Sequence, residues 1–548
     1  MNARIRRGGT ALATSVAATL ALTACGGGTG TGTGSAADDV SASTSSPVDG
    51  GELTFAIGND PISLNPSGTG SGNDTLYVTR QIVDSLLYQN PDTNELEPWL
   101  ATSWSANADA TTFTFELRDD VTFSDGTPLT ATEVKGTFDD IVAAGAKSGA
   151  LSSFVGYEGT NVIDDDTVEV DFATPNAAFP SSTASPALGI VAASTVAIPF
   201  DDRATGEGVV GTGPFVLESY TKDVETVLAQ RAEYAWAPSA LGNDGAPHLA
   251  KVTFQVVPEA GVRTGSLTSD QVDVAGGIQP TDIETLEASG FPVISRANPG
   301  NVFGVYFNNS RPIVSDVEVR KAISFAIDAE EIRDTSLNGS FAVATSVLAS
   351  TTPGWADQSS YFAFDRAKAE KLLDQAGWTV GSDGVREKDG QKLSLKVAWI
   401  TNFGPNQTSL ELLQQQLKAV GIEITLEGGT VPEFLERQQG GDYDFAWHNQ
   451  SRADGDILRT AFSTGATNYP RITDPELESL LQAQLAAGDP AERAEILAQA
   501  QERLASQYYQ IPVHELTSVI GTQTTVHGLT FGADSRLDSL VGTWKEAD

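Results

Sequence analysis

Leu53, Phe55 and Ile57 alternate with other residues in "GELTFAI", and Phe113, Phe115 and Leu117 repeat the pattern in "TFTFELR". A period of two puts each set on one face of a strand. The period lengthens further along the chain. In "SDVEVRKAISFAID" the apolar positions Val319, Ala322, Ile323, Ala326 and Ile327 fall at helical spacing, and Ser315 with Glu318 predicts a capping box at the start. "DRAKAEKLLDQAGW" predicts a helix capped by Asp365 and stopped at Gly377, where a left-handed residue is needed. "DPAERAEILAQAQERL" predicts another, with Asp489 as cap, Pro490 at the first helical position and Glu492 closing the box. Between them "LSLKVAWI", a helix from about Gln407 to Val420 ended by Gly421, and "IEITL" read as strand, helix and strand. The predicted class is α/β. No tandem repeat of solenoid length is found.

The first 50 residues have a different texture. Arg4, Arg6 and Arg7 precede an uncharged stretch from Ala11 to Ala24 that is short for a membrane-spanning helix, so residues 1–24 read as a signal peptide. Cys25 is the only cysteine. In "LTAC" a small residue precedes it and a leucine stands three before it, which resembles the lipobox of bacterial lipoproteins. That resemblance implies acylation of Cys25, cleavage before it and anchoring by two or three chains, where one would not suffice. The alternative is an ordinary secretory signal with an incidental cysteine; Arg6 and Arg7 are only a weak twin-arginine signal. Residues 25–50, rich in Gly, Ser and Thr, read as a flexible tether.

About 500 residues remain, too many for one core, so two or more lobes are expected. Loss of residues 1–25 leaves 30 basic side chains against 72 acidic, a net charge of −42. Such a surface repels phosphates, which argues against nucleic acid and anionic headgroups as partners. A single cysteine permits no disulfide within the chain.

Catalytic motifs are scarce. "GEGVVG", Gly206 to Gly211, fits the dinucleotide pattern but is followed by "TGPF" and a strand-like "VLESY", so no helix N-terminus meets a phosphate. There is no P-loop, HExxH or GxSxG. The histidines at 248, 448, 514 and 527 lack metal-ligand spacing. No catalytic residue, metal or cofactor is assigned, and the expected role is not enzymatic. An exported hydrolase or a signalling lipoprotein without a transport role stays as the reading from another class.

"EPWLATSWSANADATTFTFELRDDVTFSDGTPLTATEV", Glu97 to Val134, resembles the signature region of family 5 extracellular solute-binding proteins, the peptide and nickel receptors of ABC importers. Here Trp104 and the alternating phenylalanines would fill a core, Asp125 and Gly126 would make a turn, and Thr132 or Thr130 would cap the next helix. Further similar segments follow in the same order: "GTGPFVLESY", "QVDVAGGI", "VYFNNSRPIVSDVEVRKAISFAID", "FDRAKAEKLLDQAGW" and "ERAEILAQAQERLASQYYQIPVHE".

The resemblance implies a two-lobed periplasmic-binding-protein-like fold (type II, cluster C) with a subdomain inserted in lobe one. Lobe one would span 51–296 plus 515–548, its insertion about 89–204, and lobe two 297–514. Crossings near Asn298 to Val305 and Ile511 to Glu515 would act as a hinge. It also implies a monomer on the outer face of the bacterial cell membrane, held there by its lipid anchor only. Its partners would be an ABC permease and a small solute, a peptide first of all; an oligosaccharide stacking on Trp447 and Trp399 is the alternative, and few histidines weaken a metal chelate.

In peptide-binding members an aspartate late in lobe two takes the ligand amine. The matching stretch here, "YDFAWHNQSRADGDILRTAF", lacks the usual proline and offers Asp454 or Asp456 for an amine and Arg452 for a carboxylate. Either acid would equally serve as a helix cap. Trp447 covers an apolar wall, core or cleft, and Asn449 stands close to it. Ser71, Gly72 and Asn73 follow the first strand, where small residues permit close approach of a ligand backbone. Asn402 and Phe403 lie between a strand and a helix at a sheet's carboxyl edge. Arg80 and Arg320 read as helix-surface ion-pair partners.

Overall fold

Leu53, Phe55 and Ile57 are fully buried in the strand Glu52–Ile57, which runs through the middle of a seven-stranded sheet. The computed structural model describes residues 46–68, 72–401 and 403–547. The sheet order is Val293–Ala297, Thr517–Thr522, Val274–Gly276, Glu52–Ile57, Lys251–Val256, Glu225–Gln230 and Phe215–Thr221. Tyr77, Val78 and Ile82 of the helix Asn73–Ile82 share its core cluster. Cys25, the signal segment and most of the tether lie outside the described residues, as do Ser71 and Asn402.

A second sheet has five strands in the order Glu423–Gly429, Ser394–Ile400, Phe445–Ser451, Gly300–Phe307 and Gln510–His514. Its first two strands are parallel and joined by the helix Pro405–Ala419, the crossover that their hydrophobic runs predict. The chain passes between the two sheets twice, at residues 298–299 and 515–516. These crossings are tied together: the Asn298 amide donates to the Leu516 carbonyl at 2.7 Å, and the Ser518 hydroxyl donates to Asn298 Oδ1 at 2.9 Å.

A four-stranded antiparallel sheet, ordered Ala101–Ala106, Thr112–Leu117, Thr167–Phe172 and Tyr157–Val162, interrupts the first lobe and has its own core around Phe113, Phe115, Phe138 and Phe179. Trp104 packs half-buried against that core. Thr130, with Glu133, forms the capping box of the helix Ala131–Ala144.

Local signals are mostly met. Asp365 accepts from the Lys368 amide, Gly377 adopts φ +85° beyond the helix Arg366–Gln375, and Asp489 accepts from the amides of Ala491 and Glu492. One cap differs by a residue: Asp316, not Ser315, accepts from the Glu318 amide, because Asp316 is the residue that immediately precedes a helix starting at Val317. The two arginines read as surface residues are inside. Arg320 donates to the carbonyls of Gln507, Val314 and Ser315, and Arg80 to Ser85 Oγ and the Ala184 carbonyl. Helical periodicity counts both as polar, but a guanidinium fork can be buried when carbonyls from neighbouring loops meet its donors.

The glycines of "GEGVVGTGP" have a structural reason. A Cβ on Gly211 would stand 2.0 Å from the Ile82 carbonyl oxygen, and one on Gly213 would stand 2.6 Å from that of Gln81. The segment packs backbone to backbone on the end of the helix Asn73–Ile82, where no side chain fits. Gly213→Ala is expected to cost about 1–3 kcal/mol through overpacking, read as a lower urea midpoint.

Candidate functional site

Between the sheets lies a cavity of about 380 Å³. From lobe one it is lined by Leu76 and Arg80, one helical turn apart on the same face of the helix Asn73–Ile82. The inserted layer adds Ser152 and Ser181, the C-terminal loop adds Gly532 to Asp534 and Arg536 to Asp538, and lobe two adds Ser451 to Asp454. A wider groove of about 1210 Å³, shared between the inserted layer and lobe two, also touches Gln89, Ser181 and Asp454.

Two hydrogen bonds cross the cavity. Gln89 Nε2 donates to the Ala453 carbonyl at 3.1 Å, and Arg452 Nη2 donates to Ser152 Oγ at 2.8 Å. The second wall is built by the loop after the strand Phe445–Ser451. Its backbone is pinned where the Arg452 amide donates to the Pro299 carbonyl in the first crossing between the sheets.

The acids of this loop are already partnered. Arg493 grips Asp454 with two bonds of 2.8 and 2.6 Å, and Arg459 grips Asp456 with two of 2.7 Å. Gln484 joins the pairs, donating to Asp456 Oδ1 at 2.7 Å and accepting from Arg493 Nε at 3.0 Å. Burial pushes the Asp454 carboxyl upward, but the Arg493 guanidinium, helped by the Asp456 amide and the Arg452 charge, outweighs it and holds the group below the usual carboxylate range. Asp456 opens the helix Ile457–Phe462 without a capping bond from its side chain. On the facing wall, burial raises Asp538, which accepts from the Tyr88 hydroxyl at 3.0 Å and the Ser539 amide at 2.8 Å.

Of the residues singled out in the sequence, Arg452 and Asp454 line this cavity. Gly72 is an exposed N-cap, and Asn73 Nδ2 reaches Ser518 Oγ at 3.4 Å, next to the crossing residue Asn298. Trp447 is fully buried in the five-stranded sheet's core, its indole N–H donating to Asn406 Oδ1 at 2.9 Å. Phe403 stacks on Phe303 at 5.8 Å and touches the clusters of both sheets. Asn449 is half-buried. Its neighbour His448 stacks on Tyr306 at 4.2 Å, and burial lowers its pKa to about 4. The residues that sequence reasoning did not bring to the cavity, Arg80, Ser152 and the 532–538 loop, carry no shared motif; only Arg80, a lone cation in an amphipathic stretch, gave a local signal. Among the described residues no cluster of three or more His, Cys, Asp or Glu is placed to hold a metal, and no helix is long and apolar enough to cross a membrane.

The family model for the bacterial extracellular solute-binding proteins, family 5, matches residues 95–469. A nickel-binding periplasmic protein of Escherichia coli is 24% identical over 398 residues, covering 70% of this chain and 74% of its own length. The dipeptide-binding protein of the same organism is 24% identical over 499 residues, covering 84% and 89%. Among solved structures, NikA of Brucella suis in complex with Fe(III)-EDTA superposes with a TM-score of 0.79 at 24% identity, covering 90% of this chain and all of that one. AppA of Bacillus subtilis in complex with a nonapeptide gives 0.74 at 19%, covering 92% and all of that chain. The sheets, the inserted layer and the cavity between two walls are thus those of a two-lobed binding-protein fold, and the chain belongs to the family 5 bacterial extracellular solute-binding proteins.

Proposed function

We propose that this chain is a lipid-anchored receptor of an ABC importer that captures a short peptide between its lobes and hands it to the permease. The observation that carries the reading is the cavity walled by both lobes and crossed by the Gln89–Ala453 and Arg452–Ser152 hydrogen bonds. A solute seated there touches both walls at once, which the separated lobes would not allow, so binding favours closure. The volume suits a small solute. Relatives named as dipeptide-binding proteins support a peptide. Lobe one is taken as 51–296 plus 515–548 and lobe two as 297–514, with the paired crossings at 298–299 and 515–516 as hinge. Cys25 supplies the anchor, and Cys25→Ser is expected to move the protein from the membrane to the soluble fraction.

The test is a native mass spectrum of the lipoprotein, released gently from detergent, before and after denaturation and refolding. A bound mass lost on refolding and fragmenting as a peptide supports the proposal. One fragmenting as a sugar or another organic solute overturns the peptide part, and turnover of the released solute by the protein alone overturns the receptor role.

A further inference from the structure

Asp454 and Asp456 stand where an amine-binding acid is expected, yet both are buried and each is held by a guanidinium through two bonds. The loop and its supports therefore hold three guanidinium groups, Arg452, Arg459 and Arg493, against two carboxylates. Arg459 and Arg493 are the two consumed. Arg452 is the remainder. Its hydrogen bonds go to two neutral hydroxyls, Thr460 at 3.1 Å and Ser152 at 2.8 Å. A guanidinium has five donors, so most of its capacity is unspent. The one carboxylate oxygen within ion-pair distance among the described residues is Asp456 Oδ2 at 3.5 Å, which already accepts from Arg459.

Arg452 also lines the cavity, reaches across it to the inserted layer, and is about a quarter exposed, at 29% of its side chain. Asp456 does not line it, and Asp454 does so with both oxygens engaged by Arg493. Among the described residues the other charged groups that line the cavity are Arg80, Arg536, Asp534 and Asp538, all from lobe one. From lobe two, then, a ligand meets one net cation and no unengaged acid.

We infer that the lobe-two wall of this cavity reads an anionic group through Arg452, so that a carboxylate end of the solute docks on the Ser451–Asp454 loop and neither Asp454 nor Asp456 receives an amine. A planar carboxylate matches the planar guanidinium fork, and displacing the weaker hydroxyl contacts is favoured by the charge-assisted bonds that replace them. The proposal rests on the cavity being the solute site, and it reverses the polarity expected from the position of the two acids.

The experiment is calorimetric titration of the intact lipoprotein, stripped by unfolding and refolding, with alanyl-alanine, N-acetyl-alanyl-alanine, alanyl-alanine amide and glutarate. Amidation is expected to weaken binding about tenfold or more, since a charge-assisted bond is lost, while N-acetylation changes it less than threefold. In R452Q the amide and the acid should bind alike. Glutarate should bind the parent and lose that binding in R452Q; R452K, which keeps charge but not the fork, should fall between. If acetylation abolishes binding and amidation is tolerated, the inference fails and the peptide reading stands. If no peptide binds but glutarate binds through Arg452, the inference stands and the peptide reading fails. Binding of neither peptide nor glutarate overturns the inference.

Discussion

Replacing Arg493 by methionine is expected to cost about 3–5 kcal/mol, because it strips the partner from a buried carboxylate and leaves the charge uncompensated. The Asp454 side chain is 7% exposed and the Arg493 side chain 12%, so water cannot take over the missing bonds. Gln484 would lose its link to Arg493 and keep its bonds to Asp456 and the Leu481 carbonyl. The double variant D454N/R493M should recover most of the loss, since a neutral amide replaces the orphaned charge; urea unfolding at neutral pH reads both. A double variant no more stable than R493M would mean that packing, not charge, dominates the site.

The same pair predicts a pH signature. In the parent the folded pKa of Asp454 lies below its unfolded value of about 3.9. Its contribution is therefore fully present above pH 4 and is lost as the pH falls through the folded value. In R493M burial, the largest influence on this carboxyl, is opposed only by the Asp456 amide and the Arg452 charge and is expected to raise the folded pKa, so the penalty develops as the pH rises and disappears below the unfolded value. The gap between parent and variant should narrow in acid.

Trp447→Ala is the second large effect, expected at about 3–5 kcal/mol. The indole is completely buried, packs beside Phe303 at 6.1 Å and His514 at 5.8 Å, and holds Asn406 Oδ1 through its N–H. Truncation would leave a cavity in the centre of the five-stranded sheet's core and an unpaired amide oxygen. W447F should return most of the apolar contact but not the donor, leaving a residual deficit of about 1 kcal/mol. Equal midpoints for W447F and the parent would show that Asn406 finds another donor.

Much of the fold is written locally. Leu53, Phe55 and Ile57 fix a buried strand, Asp365 and Gly377 bracket a helix, and Thr130 with Glu133 starts another, because period, caps and turns act between residues a few positions apart. The loop Ser451–Asp456 was legible as a site candidate only through the resemblance of its stretch to the family's amine-binding loop. What each charge does was not legible. Asp454 is paired with a residue 39 positions away, Arg452 reaches Ser152 at a separation of 300, and Arg80 was turned inward by carbonyls of a distant loop. By itself, then, the sequence determined the elements, the α/β class and the family. Tertiary structure alone decided which acids are spent on arginines and which cation is left facing the cavity, since a charge is satisfied by its neighbours in space and those neighbours come from segments that no local pattern links.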